Sequence, residues 1–322
     1  MSLNEFERTQ IAYNENCFKE EMSEKIVDDF FKIIKNNSNE ILKICEIEEK
    51  NNNIAEDVFK VLGNLRIKTK RKYELEQRKR EDGFIVAKYK ESIGVIGVIF
   101  DGNPYATVNL ALEAILSKNA IIFCTNNKMY ALTNLIILYL KQALKQNGYN
   151  EELVQVINSK DYLEMYNHNN ILRKIIVVGD KALQDKVICN SKIQVTVSGY
   201  GNYDLYIENL LDIELIRKIL NIKNAKFNVY IHKNILEKFT QEFDIDDYTE
   251  VENVEECIRD ININSAGFGS SIFTNNGENA NKFLKLIKSK KVFVNASPNL
   301  EGKLDISIND MLYTKQIMYK ND

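Results

Sequence analysis

The feature that most restricts the fold is a repeated change of period along the chain. Unbroken aliphatic runs, ending in VIGVIF at Phe100, NAIIFC at Cys124 and KIIVV at Val178, alternate with stretches whose apolar residues recur every three or four positions. A strand without polar alternation is buried on both faces, and strands of that kind separated by helices form a parallel α/β sheet. The spacing predicts strands over Phe84–Tyr89 and Ser92–Phe100, a helix over Pro104–Ser117, a strand over Ala120–Cys124, a helix over Met129–Asn147 and a strand near Val154–Ile157. After a short helix it predicts a strand over Lys174–Val178, a helix over Lys181–Cys189 and a strand over Ile193–Val197. In open sheets of this type ligands bind beyond the carboxyl ends of the strands, so the turns there are where chemistry is expected.

Two further regions flank this sheet. From Leu3 to about Arg80 the pattern is helical, with Ile26, Phe30, Ile33 and Ile34 on one face. From near Leu211 a smaller α/β unit is expected: a helix to Leu220, a strand over Asn228–His232, and helices over Lys233–Phe243 and Val254–Ile261. It continues with a strand over Ser270–Phe273, a helix over Asn279–Ile287 and a strand over Lys291–Asn295. The tail Leu312–Tyr319 reads as an isolated strand that pairs elsewhere, either with Phe84–Tyr89 or with a neighbouring subunit.

The 322 residues suffice for one large or two ordinary domains. The net charge of −3, with both signs mixed throughout, offers no basic stripe, so nucleic acid is not expected as a partner. No apolar run approaches the roughly 20 residues of a membrane span, and MSLNEFERTQ has no hydrophobic signal segment. The expectation is a soluble, cytoplasmic protein without a membrane partner. Cys17, Cys45, Cys124, Cys189 and Cys257 show no CxxC spacing, and with only His168 and His232 no metal site is expected.

Three carboxyl-end turns carry the candidate chemistry. In Asp101-Gly102-Asn103-Pro104, proline suits the first helical position and the Asn103 amide is placed to hold a developing oxyanion; the same four residues also read as a plain turn with a helix cap. Cys124 to Lys128 puts small polar side chains and a lysine at a strand end, suited to a ribose or phosphate, and equally to a solvated loop. In IIVVGDKALQDKV, Gly179 permits a tight turn into a helix N-terminus where a phosphate can sit, although Asp180 repels an anion and no GxGxxG is present.

Taken in order, IGVIGVIFDGNP, NAIIFCTNNK, IIVVGDKAL, SGYGNYDLYI, NINSAGFGSSIFT and KVFVNASPN resemble the aldehyde dehydrogenase superfamily over about Tyr73–Ile308. The likeness is closest to glutamyl-phosphate reductase, through GVIGVIF, NSAGFGSSIFTNNGENANKF and VFVNASPN, and to the CoA-acylating aldehyde dehydrogenases, through NPYAT with NAIIF. The resemblance implies a doubly wound parallel cofactor-binding sheet, a second, reduced α/β domain and a strand-based oligomerisation element. It divides the chain into residues 1–80 as a helical lead-in to the cofactor domain, 81–210 as the nicotinamide-nucleotide domain, 211–300 as a reduced catalytic-like domain and 301–322 as an oligomerisation tail. It also implies a homo-oligomer such as a dimer, or a partner enzyme.

Site roles follow from the same resemblance. Asn103 matches the oxyanion-hole Asn of the acylating branch; Thr125, Asn126 and Lys128 match the loop along the adenosine ribose; Gly179, Asp180 and Lys181 match the turn and helix under the diphosphate of NAD or NADP. Members of the superfamily attack the acyl carbon with a Cys thiolate and pass hydride to or from the nicotinamide. They usually place glycines beside the diphosphate, whereas Asp180 here adds a negative charge, with Lys181 and Lys128 to offset it.

The Cys itself is missing from its place. The superfamily's Cys-bearing loop follows an Asn-Ala-Lys segment, and here Asn224-Ala225-Lys226 runs straight into Phe227 and the strand NVYIH. The chain is also short between Phe243 and Val254. The expectation is a degenerate relative without thiol-dependent reductase activity, with nucleotide binding retained or lost. Against it stand two alternatives: an active acyl reductase using Cys124 or Cys189 as nucleophile, and a structural subunit built on Phe84–Tyr89 and Leu312–Tyr319.

Overall fold

A computed structural model describes residues 3–17, 25–49, 74–100, 104–125, 129–158, 162–222, 225–299 and 304–320. In chain order its elements begin with α1 (Glu5–Cys17), α2 (Lys25–Asn36), α3 (Ser38–Glu49), β1 (Glu74–Lys79), β2 (Phe84–Ser92), β3 (Val95–Phe100) and α4 (Pro104–Leu116). There follow β4 (Ala120–Thr125), α5 (Tyr130–Gln146), β5 (Val154–Asn158), α6 (Leu163–Asn167), β6 (Leu172–Val178), α7 (Lys181–Asn190), β7 (Val195–Ser198) and β8 (Asn202–Ile207). The remainder is α8 (Ile213–Leu220), β9 (Lys226–His232), α9 (Leu236–Glu242), β10 (Thr249–Val251), α10 (Val254–Asn264), β11 (Gly269–Phe273), α11 (Gly277–Leu286), β12 (Lys291–Val294) and β13 (Leu312–Lys320). Contacts gather these into two units, one of Met1–Val177, Asn190–Thr196 and Ile306–Asp322, the other of Val178–Cys189 and Val197–Asp305.

The first unit is built on a five-stranded parallel sheet in the order β5-β4-β3-β6-β7. Every residue of β3 and β4 is buried, which is why these strands read as continuous aliphatic runs. Strand order reverses between β3 and β6, the switch point beside which ligands bind in open α/β sheets. Ile26, Phe30, Ile33 and Ile34 of α2 are buried as the helical spacing predicts.

Helical spacing does not persist to Arg80. Glu74–Lys79 forms β1, antiparallel to β2, with Glu76 opposite Lys88 and their side chains 2.9 Å apart. Its sequence ELEQRK is made of good helix formers, and pairing to β2 overrides that weak preference. The tail strand finds its partner within the chain. β13 lies antiparallel to β2 from Leu312 opposite Ser92 to Lys320 opposite Phe84, completing the sheet β1-β2-β13.

The second unit is a parallel sheet in the order β10-β9-β8-β11-β12. Its central strand, β8, is absent from the period reading, because Asn202 and Asp204 interrupt the apolar pattern just after the glycines of SGYG. One face of the sheet packs Tyr206, Tyr230 and Ile272 against α10 and Phe283 of α11; the other packs Leu205, Val229, Ile231 and Phe273 against Ile216 and Phe239. β8 is therefore covered on both sides.

Candidate functional site

At the carboxyl edge of the first sheet, Phe100 stands opposite Thr125, and Thr125 opposite Asn158. Asn103, Asn126 and Lys128 lie outside the described residues. Thr125 is fully buried, and its Oγ1 meets no hydrogen-bond partner among the described residues. Buried hydroxyls are almost always paired, so Thr125 is an exception at this edge. Tyr166 of α6, which the sequence reading did not single out, also has a buried, unpartnered hydroxyl. Burial and then the nearby Cys124 sulfur raise its pKa.

In the second unit the turn after β6 is tightly specified. The Gly179 N–H donates to Ser198 O at 3.0 Å, and Gln184 Nε2 donates back to Gly179 O at 3.1 Å. Asp180 caps α7: its Oδ1 accepts the Leu183 N–H at 3.0 Å, while its Oδ2 faces Lys226 Nζ at 3.6 Å. Lys181 does not reach across the turn; its ammonium bonds Asp185 one helical turn further on.

The start of β9 is equally plain. The Lys226 N–H donates to Gly201 O at 2.7 Å, Phe227 stands opposite Tyr203, and the two rings stack 5.5 Å apart. Of the cysteines whose side chains are described, Cys124 and Cys257 are buried and Cys17 and Cys189 exposed. Cys257 sits in the core of the second unit, where burial first, then the charges of Asp204, Asp260 and Glu256, push its thiol pKa well up. That is the opposite of what a thiolate nucleophile needs. His232 Nδ1 accepts the Asn234 N–H at 3.1 Å, and His168 stacks on Phe6 at 3.9 Å.

One polar cluster escaped the sequence reading. Asp204, fully buried in β8, accepts Asn228 Nδ2 at 3.0 Å on Oδ1 and the hydroxyls of Ser265 and Ser270 at 2.6 and 2.8 Å on Oδ2. Behind it the Ser270 and Ser289 hydroxyls are 2.6 Å apart. The available signal was an acid inside NYDLYI, a strand otherwise apolar at its end. Among the described residues no group of three or more His, Cys, Asp or Glu is arranged to hold a metal, and no helix is long and apolar enough to cross a membrane.

No family model matches the chain. The gamma-glutamyl phosphate reductase of Dictyoglomus thermophilum is 27% identical over 274 residues, covering 69% of this chain and 66% of its own. The chain spans about two thirds of the length of the curated relatives it matches, between 64% and 66% for the first of them. The crystal structure of gamma-glutamyl phosphate reductase from Thermotoga maritima superposes with a TM-score of 0.69 at 20% identity, over 98% of both chains. Glyceraldehyde-3-phosphate dehydrogenase from Methanocaldococcus jannaschii, solved with NADP, gives 0.74 at 13% identity over 98% of this chain and 93% of that one. The fold is that of the aldehyde dehydrogenase superfamily. The resemblance read from the six motifs therefore stands, with gamma-glutamyl phosphate reductases as the sequence relatives.

Members of this superfamily are NAD(P)-dependent oxidoreductases, so the described residues can be tested against that cofactor. Thr125, at the position the resemblance gives to the adenosine ribose, is fully buried and its hydroxyl is enclosed by protein. The N-terminus of α7 does not suit a diphosphate: its own carboxylate already takes a first-turn N–H, and Lys181 is engaged by Asp185.

Proposed function

We propose that this chain keeps the aldehyde dehydrogenase scaffold and the likeness to gamma-glutamyl phosphate reductases without thiol-dependent acyl reduction. The observation that carries this reading is the start of β9. Lys226 is already hydrogen-bonded to Gly201, and Phe227 follows it into the strand against Tyr203. The Cys-bearing loop expected there from the resemblance has no counterpart in NAKFNVYIH. The raised pKa of the buried Cys257 argues against a substitute from the core of the same unit.

The test is direct. Purified protein is incubated with NADPH or NADH and an acyl-CoA, and separately with glutamate semialdehyde, phosphate and oxidised cofactor. The expected result is no change in nicotinamide absorbance above the rate without protein. Turnover that thiol alkylation abolishes would reinstate an acyl reductase and direct attention to Cys124 or Cys189.

A second reading, a subunit that assembles through its three-stranded sheet, is favoured by β13. Tyr313, Ile317, Met318 and Tyr319 are exposed along it, and among the described residues its outer edge has no neighbour in the sheet order.

A further inference from the structure

The mismatch at the N-terminus of α7 has a specific cause. A helix of ten residues that follows a strand of a parallel sheet through a glycine turn is a position where anions gather, because its first amides point outward and its dipole is positive there. In this chain the anion is internal. Asp180 Oδ1 accepts the Leu183 N–H at 3.0 Å and so satisfies one of the amides that would otherwise face a ligand.

The neighbouring charges do not compensate. The Lys181 ammonium is bonded to Asp185, and the Lys226 ammonium, 3.6 Å from Asp180 Oδ2, is largely solvent-facing. The four named groups are two carboxylates and two ammoniums, and an arriving diphosphate adds two negative charges without a net cation to meet them. The turn cannot easily retreat, since Gly179 is pinned to Ser198 O and to Gln184 Nε2.

We infer that Asp180 fills the anion position of α7 with its own carboxylate and thereby excludes a dinucleotide diphosphate from this turn. The inference rests on the proposed retention of the aldehyde dehydrogenase scaffold and is independent of whether a thiol reacts.

The test uses the full chain with two substitutions. Asp180→Asn keeps the helix cap, because asparagine caps about as well as aspartate, and removes only the charge. Asp180→Gly removes both cap and charge. NADH binding is followed by nucleotide fluorescence and adenosine binding by calorimetry, at low and at high salt, and thermal melts check folding.

The expected result is NADH affinity roughly tenfold or more tighter in both variants than in the unsubstituted chain, with the gain shrinking at high salt and adenosine affinity the same in all three. NADH affinity equal within about twofold in all three proteins, including no detectable binding by any, overturns the inference. A parallel rise in adenosine affinity also overturns it, because the substitution would then act on the fold and not on the anion. Turnover by the unsubstituted chain would refute the proposed loss of reductase chemistry and leave the Asp180 comparison to be read separately.

Discussion

Asp204 shows how much one residue can demand of its surroundings. Burial raises its carboxyl pKa, while Ser265, Asn228 and Ser270 lower it, and the Asp260 charge raises it further. The folded pKa lies above the ordinary value, so the group's contribution to stability is full below that value and is lost as pH rises through the folded pKa. Asp204→Asn lacks this dependence. The stability gap between the natural chain and Asp204→Asn is therefore expected to be larger near about pH 4 than near about pH 7.5, read as urea midpoints; a gap that widens with pH would show that the hydrogen bonds outweigh burial. Gly199 makes a different demand. A Cβ there would lie 2.7 Å from Ala266 Cβ and 2.8 Å from Ala266 O, so Gly199→Ala is expected to cost about 1–3 kcal/mol in a urea melt. At this scale the charge of Asp180 was legible in the sequence, because an acid after a strand-end glycine is visible as such. The cage around Asp204 was not, since its donors come from residues 24 to 66 positions away.

Individual elements depend on a few bridging side chains. Asn119 is fully buried just before β4: its Oδ1 accepts the Gly94 N–H at 2.9 Å, and its Nδ2 donates to Met311 O at 2.8 Å and to Ser117 Oγ at 2.7 Å. It thus ties the approach to β3 to the 3-10 turn that leads into β13. Asn119→Ala leaves a buried N–H and a buried carbonyl without these partners, at an expected cost of about 2–4 kcal/mol. Hydrogen exchange should quicken in Leu312–Lys320 as well as in β3; an effect confined to β3 would mean that the tail is held by β2 alone. The helices and buried strands were legible to within a few residues because period and burial agree there, as in β3, β4 and α2. β1 was not, because ELEQRK has no period-two alternation and becomes a strand only beside Ile85, Val86 and Ala87. β8 was hidden by the polar residues that its own neighbours satisfy.

For the molecule as a whole, the edge of β13, which no other described strand covers, bears on assembly. If a second copy pairs along this sheet, Ile317→Glu combined with Met318→Glu should shift the protein from dimer to monomer in sedimentation, with the melting temperature little changed because both side chains are exposed. A natural chain that already sediments as a monomer would dispose of that reading. The sequence by itself determined the alternation of strands and helices, the parallel class of the main sheet and the resemblance to the aldehyde dehydrogenase superfamily, because buried parallel strands and strand-end turns leave local patterns that survive at 27% identity. It also carries the direct run of Asn224-Ala225-Lys226 into Phe227 on which the proposed loss of thiol chemistry rests. Only the tertiary structure decided that the tail pairs with β2, that Lys181 is spent on Asp185 while Asp180 caps its own helix, and that Asp204 lies at the centre of a buried polar cage. Such outcomes depend on which of several available partners a side chain meets in space, and local spacing carries no record of that choice.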